Sequence, residues 1–139
     1  MITLEDKINI GELVARFAHC SDYCDWDALA TLYTPEVETE MEGVTLRFRG
    51  IDEQIAHAKV SAEHAQGKNR HFNFNLMIHQ SGNETIAEYM FMNVNAGHGA
   101  MDAKIVVTGR MRDTVVKTAE GWKIARRLVR FDQSVDVAA

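Results

Sequence analysis

The sequence predicts an α+β fold, with helices in its first half and an antiparallel sheet in its second. Three observations predict it. Apolar residues recur at helical spacing through much of residues 4–64. Beyond Gly67 the period switches to two, the spacing of a strand with one buried face. Pro35 is the single proline and there is no Gly/Ser-rich linker or internal repeat, so all 139 residues are read as one domain.

The first helix is expected from Leu4 to about Asp22, with Thr3 and Asp6 forming an imperfect capping pattern. At about 100° per residue, Ile8, Ile10, Gly11, Leu13, Val14, Ala15, Phe17 and Ala18 cover more than half the circumference. Glu5, Asn9, Glu12, Arg16 and His19 share the narrow polar arc. Such a helix packs on more than one side, as it would across the mouth of a curved sheet. Asp25 caps a short second helix, Trp26 to Tyr33, with Trp26, Leu29, Leu32 and Tyr33 inward, and Pro35 ends it. Val37 to Phe48 reads as a hairpin turning near Glu42-Gly43. Asp52 to His64 reads as a third helix stopped by Gly67.

Arg70 to Gln80 then alternates, with Phe72, Phe74, Leu76 and Ile78 on one face and His71, Asn73, Asn75, Met77 and His79 on the other. Strands follow at Glu84–Asn95, at Met101–Lys117 (bent or bulged at Gly109) and at Trp122 to about Asp132. Four consecutive strands with short turns make an antiparallel meander. Ser134 to Ala139 reads as a frayed tail.

Composition narrows the function. Fifteen Lys and Arg against 20 Asp and Glu give a net charge of −5, which argues against a nucleic-acid footprint. No apolar run approaches the roughly 20 residues needed to span a bilayer. Acids stand where a secretion signal carries a basic start, so a cytoplasmic location is expected. Cys20 and Cys24 read as free thiols; no second cluster completes a metal site.

Two residues stand out as carriers of chemistry. Asp22 falls within the apolar arc if the helix reaches it. A carboxylate there calls for a partner, because unpaired burial costs several kcal/mol. If the helix stops at Cys20, Asp22 is a solvated turn residue. His71, a natural proton shuttle, shares a face with Asn73 and Asn75. That face either meets water or lines an interior pocket. Lys123, Arg126, Arg127 and Arg130 form a basic stripe on the last strand, expected to pair with acids.

The segment Leu13–Pro35, LVARFAHCSDYCDWDALATLYTP, resembles the opening of SnoaL-like proteins of the nuclear transport factor 2-like superfamily, which includes scytalone dehydratase. Asn69-Arg70-His71-Phe72 is similar to that family's first long strand, and Glu120–Arg127, EGWKIARR, to its final hairpin. The resemblance spans Leu4 to Phe131. It implies a cone-shaped fold, a curved antiparallel sheet wrapped around the first helix and enclosing a pocket. It places the His71 face inside and pairs His71 with Asp22. The Phe72, Phe74 and Leu76 face is then left for oligomer contacts. Ser21 and Met41 stand where scytalone dehydratase carries two water-holding tyrosines, and Tyr89 replaces a second histidine. Scytalone is therefore not the expected substrate.

The resemblance thus implies a cofactor-independent lyase or isomerase for a small apolar cyclic carbonyl or hydroxyl compound. His71 would abstract a proton, Asp22 would hold its tautomer, and Tyr89 or Asn93 would hydrogen-bond the oxyanion. Phe17, Tyr23, Trp26, Met41, Ile55, Phe91 and Met111 would wall the pocket. No metal or cofactor is expected, and a homodimer or homotrimer is. The alternative is a non-catalytic ligand-binding or assembly module, such as the small subunits of aromatic-ring dioxygenases, which share the fold.

Overall fold

A computed structural model describes residues 1–133. The expected tail, Ser134 to Ala139, lies outside the described residues. Helix α1 runs Leu4–Asp22 and opens on a complete capping box: Asp6 N–H donates to Thr3 Oγ, and Thr3 N–H to Asp6 Oδ2, both at 3.0 Å. Asp6 also accepts from Lys117 Nζ and Trp122 Nε1, which ties the helix start to the final hairpin. The buried stripe of α1 is Ile10, Leu13, Val14 and Phe17. It is narrower than expected, since Ile8 is 60% exposed.

Helix α2, Trp26–Ala30, is capped by Asp25 but ends before Tyr33, which instead opens strand β1, Tyr33–Glu42. Pro35 therefore sits inside a strand rather than stopping a helix. It lies in the irregular stretch between Tyr33 and Glu38, where its missing N–H costs the ladder nothing. Strand β2, Leu46–Arg49, closes the expected hairpin. Helix α3, Gly50–His64, ends where Gly67, at φ +69°, donates to the carbonyl of Ala62. The meander follows as β3 (Asn69–Ser81), β4 (Glu84–Asn95), β5 (Lys104–Thr118) and β6 (Gly121–Phe131). Strand β5 begins after Met101, which makes only an isolated bridge to His98.

The six strands form one open sheet in the order β2-β1-β6-β5-β4-β3. All neighbours are antiparallel except β1 and β6, which run parallel. Register shifts interrupt four of the five ladders, and each such bulge bends and twists its strand. The core lies between α1 and the inner sheet face, where Ile10, Leu13 and Phe17 meet Val37, Phe91, Met111 and Val129.

One bulge corrects the reading of β3. Asn75 adopts φ +58° between Phe74 and Met77, and the alternation changes hand there. Phe72, Phe74 and Met77 are exposed on the outer face. Leu76 and Ile78 turn inward onto the core, and Leu76 reaches within 3.9 Å of where a Gly11 Cβ would stand. Leu76 therefore does not belong to the outer face.

Candidate active site

The last residue of α1 delivers a carboxylate to β3. The His71 backbone N–H donates to both Asp22 oxygens at 3.0 and 3.1 Å, and His71 Nδ1 lies 2.7 Å from Oδ1. Asp22 is thus no solvated turn residue; its side chain and that of His71 are 14% and 15% exposed. An ionised carboxylate can only accept, so Nδ1 carries the hydrogen; in the neutral imidazole the lone pair then sits on Nε2. Nε2 makes no hydrogen bond among the described residues. Phe17 meets the imidazole edge-on, with ring centroids 5.6 Å apart.

Asn93 stands directly across from His71 on β4, and Asn73 is the next inward residue of β3, opposite the buried Phe91. Both amide atoms of Asn73 and the Oδ1 of Asn93 are buried without a hydrogen-bond partner among the described residues. Each such atom costs about 1–3 kcal/mol when left unsatisfied. Gln54 on α3 repeats the pattern: Thr39 donates to its Oε1 at 2.9 Å, while its buried Nε2 has no partner.

A second polar cluster lies deeper. Arg127 grips Asp113 through Nε and Nη2, at 2.8 and 2.9 Å. Tyr89 donates its hydroxyl hydrogen to Asp113 Oδ2 at 2.7 Å and accepts from Arg127 Nη2 at 3.0 Å. Burial raises the Tyr89 phenol well above its ordinary range, against the pull of the Arg127 charge. Burial by itself would lower the Arg127 value, but Asp113 and Tyr89 beside it hold the guanidinium more firmly charged. The guanidinium also lies 3.9 Å from the Phe17 ring centroid, so Phe17 links the two clusters. The expected donation from Tyr89 to a ligand oxygen is thus taken up inside the protein, because Asp113 holds that hydrogen.

Among the expected walls, Phe17, Phe91 and Met111 are buried on the inner face. Trp26, Met41 and Ile55 are partly buried against the same core. Tyr23 is not a wall: α1 ends at Asp22, and Tyr23 is its C-cap, 78% exposed and stacked on His19. The basic stripe does pair with acids, Lys123 with Glu120, Arg126 with Glu84, Arg127 with Asp113 and Arg130 with Glu42. His57 stacks on Phe48 with ring centroids 4.2 Å apart, and burial lowers its pKa.

Asp113 and Gln54 went unread in the sequence. The signal for Asp113 is one of parity, since it shares the inward set of β5 with Val107, Met111 and Val115. Two open concavities, about 240 and about 520 Å³, lie over the sheet and hold none of the expected site residues. Their arginine- and glutamate-bearing walls do not suit an apolar ligand. No three His, Cys, Asp or Glu side chains gather in metal-binding fashion among the described residues, and Cys20 and Cys24 are free. No helix among them is long and apolar enough to cross a membrane.

The pattern of the SnoaL-like domain matches residues 3–128. The chain belongs to the SnoaL-like family. No curated protein matches it in sequence. Among solved structures, a Nostoc punctiforme protein of unknown function with a cystatin-like fold superposes with a TM-score of 0.83 at 21% identity, covering 98% of each chain. A candidate scytalone dehydratase of Novosphingobium aromaticivorans gives 0.76 at 21% identity, over 96% of this chain and 88% of its own. A candidate dehydratase of the nuclear transport factor 2-like family from Streptomyces avermitilis gives 0.78 at 14% identity, over 94% and 98%. At these identities the likeness of the SnoaL-like domain to each of them is one of fold.

Proposed function

We propose that this SnoaL-like domain is a cofactor-independent lyase or isomerase, in which His71 Nε2 removes a proton from a small, largely apolar carbonyl or hydroxyl compound. The observation that carries this reading is the clamp on Asp22. One carboxylate holds both the backbone N–H and the Nδ1–H of His71, which fixes the tautomer and aims an unbonded Nε2 away from it. When a carbon acid gives its proton to Nε2, Asp22 stabilises the imidazolium that forms. The negative charge moves to the substrate's carbonyl oxygen. With the Tyr89 hydrogen held by Asp113, the Asn93 amide is the better placed donor to that oxygen. Phe17, Phe91 and Met111 keep water from the reacting atoms.

The test is turnover of a panel of β-hydroxy carbonyl compounds by wild type, His71→Ala and Asp22→Asn. The expected result is a loss of about 10²–10⁴-fold for His71→Ala, with Asp22→Asn also strongly impaired. Activity kept by both variants would remove the dyad from catalysis. Turnover of no compound would favour a second reading, a ligand-binding or assembly module. Two observations support that second reading: the Tyr89 hydroxyl is engaged inside the protein, and Phe72, Phe74 and Met77 lie exposed on the outer face. A dimer or trimer built on that face accommodates either reading, and co-purification with a large iron-containing subunit would establish the second.

A further inference from the structure

Asn73 occupies a place that the proton-transfer chemistry does not explain. It is the next inward residue after His71 on β3, about 7 Å further along at the spacing of a strand. Its cross-strand partner is the buried Phe91, an apolar neighbour beside which a leucine would pack. Asparagine is a poor strand former, and both its amide atoms are buried here without a partner among the described residues. Across the ladder, the Oδ1 of Asn93 is buried and unpartnered as well. The two orphaned oxygens are acceptors and the orphaned nitrogen is a donor. Asn93 lies directly across from His71 in the ladder and Asn73 is the next inward residue along β3, and the His71 Nε2 makes no hydrogen bond among the described residues either.

A purely apolar ketone satisfies none of the acceptors. A hydroxyl satisfies both kinds of atom, since it donates to an amide oxygen and accepts from an amide N–H. We infer that Asn73, together with Asn93, is the hydroxyl-reading element of the interior, selecting ligands that carry an alcohol or phenol O–H beside the atom that faces His71. The inference deepens the proposed function, on which it rests for the placement of ligand next to His71. It narrows the ligand class from carbonyl or hydroxyl compounds in general to hydroxylated ones. Asn73 acts as a specificity-determining residue and takes no proton itself.

Binding of matched probe pairs, 1-tetralone against its 4-hydroxy derivative and naphthalene against 1-naphthol, is measured by calorimetry on wild type, Asn73→Leu and His71→Ala. Wild type should bind the hydroxylated member of each pair about tenfold or more tightly. Asn73→Leu should abolish that preference while binding the deoxy member as well as wild type does. Should Asn73→Leu fail to fold, Asn73→Ala is measured in its place and should likewise lose the preference. A preference that survives in the folded Asn73 variant overturns the inference, as does the absence of any preference or of any binding in wild type. The His71→Ala arm separates the two readings. A hydroxyl preference retained there, with no compound turned over by wild type, sinks the catalytic reading and leaves Asn73 in its role. Turnover by wild type without a hydroxyl preference does the reverse.

Discussion

Asp113–Arg127 and Asp22–His71 both join a carboxylate to a basic side chain in the same interior, and Phe17 touches each base. They differ in what they leave over. The Asp113 and Arg127 side chains are 1% and 4% exposed, and between them and Tyr89 the carboxylate's two oxygens accept three hydrogen bonds. The Asp22 and His71 side chains are more open, and among the described residues one ring nitrogen stays unbonded and the neighbouring strand positions Asn73 and Asn93 carry buried amide atoms with no partner. A closed network of that kind fixes a structure. An open one holds capacity to bind and to exchange a proton, and folding bears the cost of keeping it unsatisfied.

The comparison can be broken from either side. The largest expected effect is on stability. Arg127→Met leaves Asp113 charged in the interior with only the Tyr89 hydroxyl to hold it, and should cost about 3–5 kcal/mol, read by denaturant unfolding. Adding Asp113→Leu should restore much of that loss, because the stranded charge is then gone. A single variant as stable as wild type would show that the pair does not hold the core. His71→Ala should cost only about 1–2 kcal/mol, since Asp22 keeps the backbone N–H of residue 71. Equal losses for Arg127→Met and His71→Ala in the same unfolding assay would erase the distinction between the two pairs.

The smallest effect sharpens the comparison with a third acid. The backbone N–H of Thr3, and then Lys117, hold the Asp6 carboxyl far below the ordinary carboxylate range. A depressed folded value gives stability that is present above the unfolded value of about 3.9 and is lost as pH falls toward the folded one. Thermal melts should therefore place Asp6→Asn below wild type at pH 7, with the gap narrowing at pH 3. A gap that widens on acidification would reverse the sign and rule out this linkage.

Periodicity made most of the fold legible. The bounds of β4 were read without error, and α1 was read to its final residue. The capping residues Thr3 and Asp25, and the Gly67 stop, act locally and were therefore visible in the chain. What escaped depends on partners far away in sequence. The Asn75 bulge moved Leu76 to the inner face, and a bulge leaves no mark in an alternation counted along one strand. Pro35 reads as a helix stop until β6 is known to run beside it. The residue pattern marks Asp22 and His71 as candidates but leaves both a buried and a solvated reading open, and their pairing comes from the resemblance. Asp113 needed the register that sets it against Arg127.

The parallel seam between β1 and β6 has an entropic side. Its far end is clipped by Arg130 and Glu42, 88 residues apart in the chain. Closing a flexible loop of that length costs about 4 kcal/mol on the logarithmic chain-closure scale, far more than the tight turn between β3 and β4. Exposed ion pairs from Glu38, Glu40 and Glu42 to Arg49, Arg47 and Arg130 line the outer face of β1. The chain-closure burden thus falls on the side of the sheet away from His71. The ladder that carries His71 and Asn73 is a short-range hairpin, whose register is set as soon as β3 and β4 meet.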